Sequence, residues 1–62
     1  MHPYRLYLLN REDRIADALE GLFADDRAAL EKAEVSGKNF YAVEVWSGGR
    51  LVGRLGHEFM LG

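Results

Sequence analysis

The stretch Phe40–Leu55 reads Phe-Tyr-Ala-Val-Glu-Val-Trp, then Ser-Gly-Gly, then Arg-Leu-Val-Gly-Arg-Leu. Aromatic and β-branched residues fill both arms, and paired glycines stand where the backbone must reverse, which is the signature of a β-hairpin. Its register can be argued from the faces it creates. A two-residue turn at Gly48-Gly49 sets Trp46 against Leu51 and Val43 against Arg54, mixing apolar and charged groups on both faces. A three-residue loop Ser47-Gly48-Gly49 sets Val45 against Leu51, Val43 against Gly53 and Tyr41 against Leu55. One face is then wholly apolar, and register follows the pairing that buries a consistent face. The sequence therefore predicts the three-residue loop with a glycine in a left-handed conformation. Phe40, Ala42, Glu44, Trp46, Arg50, Val52 and Arg54 fall on the outer face.

Upstream, Tyr4-Arg5-Leu6-Tyr7-Leu8-Leu9 is a compact apolar run behind Pro3. Proline at its start suits an edge strand over residues 4–9, where no ladder donor is required. Residues 15–24 are ambiguous, the pattern alone slightly favouring helix. Ile15, Leu19, Leu22 and Phe23 have helical spacing and three alanines favour helix, whereas Ile15, Leu19 and Phe23 also share one face of a strand. Asp25-Asp26 reads as a helix start, one carboxylate capping free N–H groups and the other favoured by the helix dipole. Ala28, Ala29, Leu30 and Ala33 continue at helical spacing and Gly37 stands just past the end, giving a helix over 26–36. The segment 56–62 is an apolar tail, in which Phe59, Met60 and Leu61 must pack back on the domain or meet a partner.

Sixty-two residues allow a single domain, 1–62, and a chain this short is marginal alone. With no cysteine, disulfides and thiolate metal sites are excluded, and His2 and His57 form no close-spaced ligand cluster, so no cofactor is expected. Association with another copy or another protein remains as the means of stabilisation. The net charge of −2 lacks the basic excess of a duplex-DNA binder. No apolar run approaches the roughly 20 residues that span a bilayer, and the first residues lack a signal-peptide core, so a cytoplasmic location is expected.

The elements Tyr4-Arg5-Leu6-Tyr7, Arg14-Ile15, Asp25-Asp26 and Glu44-Val45-Trp46-Ser47-Gly48-Gly49-Arg50-Leu51-Val52-Gly53-Arg54-Leu55 resemble those of short uncharacterised bacterial proteins. Those proteins carry a C-terminal Glu-x-Trp-x-Gly-x-Arg-Leu-Val-x-Arg-Leu hairpin, and the resemblance covers most of residues 4–55. It implies a ββαββ order and makes residues 15–23 a strand, although this chain is longer and richer in alanine there. It implies no activity. The resulting expectation is an α+β fold: an antiparallel sheet of three or four strands with one helix on one face.

No catalytic constellation is visible. The only serines, Ser36 and Ser47, lie at turns without a histidine at a recognised spacing, and His57-Glu58 lacks the second histidine of a zinc-protease motif. The chain is expected not to be an enzyme. The outer sheet face is the better lead. Arg5 and Tyr7, on the side of β-strand one opposite Tyr4, Leu6 and Leu8, join Phe40, Glu44, Trp46, Arg50 and Arg54. One helix covers one face, so these aromatics and arginines would meet solvent, and such residues dominate protein–protein hot spots. The expected function is a self-associating interaction module, a homodimer with Trp46 as its anchor. The alternative is a single-stranded nucleic-acid platform on the same face. Against both stands purely internal pairing, Trp46 stacked on Arg50 and Glu44 bonded to Arg54 across the ladder.

Overall fold

Each hairpin of this chain closes on itself, and the two then join through their first strands. In a computed structural model, which describes residues 1–56, β1 (His2–Leu9) and β2 (Ile15–Phe23) precede α1 (Asp26–Ser36) and a 3₁₀ turn (Gly37–Asn39). β3 (Ala42–Ser47) and β4 (Arg50–Gly56) follow. All pairings are antiparallel, in the order β2-β1-β3-β4. This is the expected α+β arrangement in ββαββ order, with four strands. Residues 15–23 form a strand, as the resemblance implies, and not the helix that their local pattern slightly favoured. The expected tail residues Phe59, Met60 and Leu61, and His57, lie outside the described residues. No described helix is long and apolar enough to cross a membrane.

The core lies between α1 and one sheet face. Tyr4, Leu6 and Leu8 of β1 and Val43 and Val45 of β3 alternate onto that face and are buried with Ala29 and Ala33 of the helix. Leu6, Val43 and Val45 are fully enclosed, and each contributes roughly 1.5–3 kcal/mol through burial. Alanines at the contact let the helix backbone approach the sheet. Phe23, Leu30, Phe40, Val52 and Leu55 pack around this nucleus, and Phe23 meets the Tyr4 ring edge-on at 5.9 Å. The helix begins as its sequence predicts: an Asp25 carboxylate oxygen accepts the Ala28 N–H at 2.9 Å. Its end differs in cause. Gly37 has φ −84°, which needs no glycine, but a Cβ there would stand 3.0 Å from Cγ1 of Val43. The glycine serves a close approach.

Three expectations are corrected. First, β1 is central, not an edge. Its ladder to β3 begins only at Arg5, so at Pro3 one side of the strand has no neighbour, and proline is tolerated there. Second, the β3–β4 turn has two residues. Ser47 faces Arg50 and Trp46 faces Leu51 across Gly48-Gly49, and Gly48 alone of the pair takes a positive φ (61°), as the first central residue of a type II′ turn does. A bulge at Val52 then resets the register, so that Val45 faces Gly53, Glu44 faces Arg54 and Val43 faces Leu55. The mixed faces that argued against the short turn are avoided by one extra residue. Third, the three-residue loop with a left-handed residue occurs in the other hairpin. Asp13 N–H bonds to Asn10 O at 2.9 Å, and Asp13 itself has φ 66°. The Asn10 side chain accepts from the backbone N–H of Glu12 and Arg14, which fastens the turn.

β2 carries a bulge too. Leu8 pairs with Asp17 but Leu9 pairs with Ile15, so Ala16 is extra. Leu19 and Phe23 remain on the helix side, while Ile15, which would share their face in a regular strand, turns to the outer face.

Since Ala33 has no exposed surface at the helix–sheet contact, Ala33→Leu should overpack the core. Urea unfolding should show a loss of roughly 1–3 kcal/mol, whereas Val35→Ala, on the exposed side of the helix, should stay within about 0.5 kcal/mol of the parent.

Candidate interaction face

The sheet face away from α1 collects Arg5 and Tyr7 from β1, Glu44 and Trp46 from β3, and Arg54 from β4. Strand alternation places them there: Arg5 faces Trp46 and Tyr7 faces Glu44 directly across the β1–β3 ladder. β2 adds Glu20 opposite Arg5, Leu22 opposite Pro3, and the displaced Ile15. Pro3, Arg5, Tyr7, Ile15, Glu20 and Trp46 contribute to the walls of an open depression of about 610 Å³.

The charges on this face are internally paired. Arg5 Nη2 donates to Glu20 Oε2 at 2.5 Å and Nη1 donates to the Tyr7 hydroxyl at 3.3 Å. These two partners, Tyr7 first and Glu20 second, hold the Arg5 guanidinium more firmly in its charged form than usual. Arg54 bridges two carboxylates, Glu44 Oε2 at 3.2 Å and Asp13 Oδ1 at 2.5 Å. The Glu44–Arg54 bond across the ladder is the internal pairing anticipated from sequence. The Trp46 indole N–H also donates to Glu44, at 3.1 Å. The reach of Asp13 to Arg54 brings the β1–β2 turn over one end of the face, where Leu9 and Ala42, paired with each other, are buried.

Two of the seven predicted residues do not join this surface. Phe40 precedes β3 and packs against the core cluster. Arg50 lies opposite Ser47, on the helix side, because the short turn and the Val52 bulge reverse its side from that predicted. It does not stack on Trp46. It forks onto Asp26 instead, Nη1 to Oδ2 at 3.2 Å and Nη2 to Oδ1 at 3.1 Å, while the Tyr4 hydroxyl donates to Asp26 Oδ1 at 2.7 Å. The Arg50 guanidinium, and next the Tyr4 hydroxyl, hold the Asp26 carboxyl below its ordinary range. Asp26 in turn raises both partners: Tyr4 through the hydrogen bond and then burial, and Arg50 through its charge-assisted bond. Residues from β1, the first helical turn and the start of β4 are thus joined at one carboxylate.

The sequence reading missed Glu20, Asp13, Leu22, Leu51 and Ile15 on this side of the sheet. Glu20 and Leu22 follow once 15–23 is read as a strand paired with β1. Asp13 depends on a left-handed backbone and Ile15 on a bulge, which no residue pattern announces, and Leu51 on the two-residue turn. The chain matches no protein-family model, no curated protein and no solved structure.

The Asp26 junction has a pH signature. Its folded-state pKa is depressed, so its stabilisation is present above the unfolded value of about 3.9 and is lost as pH falls through the lower native value. Asp26→Asn should therefore melt at a lower temperature than the parent at pH 7. The gap in melting temperature should narrow steadily below about pH 4.

Proposed function

We propose that this protein is a non-catalytic module that associates with a second copy of itself. The observation that supports this most directly is β2. It is nine residues long, apolar residues occur on both of its sides, and none of its residues is buried. Leu22 and Ile15 on the outer side are 63% and 59% exposed, and Leu19 on the helix side is 37% exposed. Leu51 and Trp46 continue the apolar surface across the outer face. A short chain without disulfides gains most by covering such a strand. Trp46, half-buried with its N–H satisfied, is a flank of this surface rather than its anchor.

The charge arrangement favours a protein partner over single-stranded nucleic acid. Phosphate binding needs arginines free to replace counterions. Both arginines of this face, Arg5 and Arg54, are already engaged by carboxylates.

Light scattering over a dilution series should show a mass of two chains at high concentration that falls towards one on dilution. Leu22→Lys should leave the fold intact and weaken association by about tenfold or more. Trp46 fluorescence should stay unchanged when a single-stranded oligonucleotide is added at low salt. A mass of one chain at every concentration, with a salt-sensitive response to the oligonucleotide, would overturn this reading in favour of nucleic acid.

A further inference from the structure

We infer that two copies join along their β2 edges as an antiparallel pair with Leu19 on the two-fold axis, merging two four-stranded sheets into a continuous one. The inference rests on the self-association proposed above and specifies its geometry.

Among the described residues the sheet has two edges, β2 and β4. The β4 bulge falls at Val52, inside the strand, where it bends the edge and shortens any regular ladder. The β2 bulge falls at Ala16, near one end, so Asp17–Phe23 runs regularly against β1. That segment contains no proline and no lysine; its Asp17 carboxylate accepts from the Ala18 N–H at 2.8 Å and must release that donor to the partner's ladder.

A second copy of the chain fits this edge, because β2 is compatible with itself about its own middle. In a symmetric antiparallel pair, opposite residues lie on the same side of the sheet, so the axis must pass through a residue. With the axis at Leu19, Leu19 meets the partner's Leu19, Asp17 meets the partner's Gly21 and Glu20 meets the partner's Ala18. Each carboxylate then faces a small residue, and Glu20 is already neutralised by Arg5. Moving the axis to Glu20 sets two carboxylates against each other. Moving it to Ala18 sets Asp17 against leucine. Of these three central registers, which overlap most of β2, only the Leu19 register places leucine against leucine at the centre and keeps the acids away from each other and from leucine. It also fills a space the fold leaves open, because Leu19 lies on the helix side yet remains partly exposed.

The absence of cysteine from the chain makes a clean test possible. Directly opposed residues of an antiparallel pair have Cα atoms about 4.5–5.5 Å apart, inside the roughly 4.4–6.8 Å that a disulfide spans. Mild oxidation should convert Leu19→Cys almost wholly to a covalent dimer. A mixture of Ala18→Cys and Glu20→Cys chains should cross-link between the two variants well beyond what either yields alone, which guards against a folding defect in the first variant. Leu51→Cys, on β4, should remain largely uncross-linked. Efficient cross-linking of Leu51→Cys but not of position 19 or the 18/20 mixture, in a protein with the mass of two chains, would overturn the edge pairing and leave self-association standing. A single-chain mass throughout would overturn both.

Discussion

One helix cannot cover this sheet. A helix is about 10 Å across and strands lie about 4.8 Å apart, so a single helix shields roughly two strands. Here the buried side chains facing Ala29 and Ala33 come from β1 and β3, the two central strands. β4 retains partial cover, since Leu30 sits against Gly53 and Val52 and Leu55 pack at the margin of the core. β2 is left with no buried residue. Its exposure follows from the width of the helix.

Much of this was legible in the residues. The α+β class, the helix start at Asp25 and the inward set Tyr4, Leu6, Leu8, Val43 and Val45 follow from alternation and capping, which are local. The outer positions of Arg5, Tyr7, Glu44, Trp46 and Arg54 follow from the same alternation. The strand at 15–23 was not decided by its own pattern, because Leu19, Leu22 and Phe23 satisfy a helical stripe as well as a pleat. Pairing with β1 resolves the conflict, and that is a long-range fact.

The failures share a cause. An argument from faces assumes strict alternation, and each hairpin breaks it once. The two-residue turn sets Leu51 outward and Arg50 towards the helix, and the extra residue at Val52 then lets both Val52 and Leu55 face the core. At Ala16 it sends Ile15 away from Leu19 and Phe23. A bulge is invisible to periodicity because its signal is one residue too many. Its effects remain coherent, however. Arg50 gains Asp26, and the junction of Tyr4, Asp26 and Arg50 locks together three segments far apart in sequence.

The middle ladder of the sheet also closes its longest loops. β1 and β3 partners such as Leu9 and Ala42 are distant along the chain, whereas each hairpin closes over a few residues. Isolated hairpins form on the order of 1–10 μs but are marginal on their own in water. The helix lies within the segment that links them, so coiling that segment shortens the gap they must bridge. The seam between β1 and β3 is thus where two hairpins, each marginal alone, support one another.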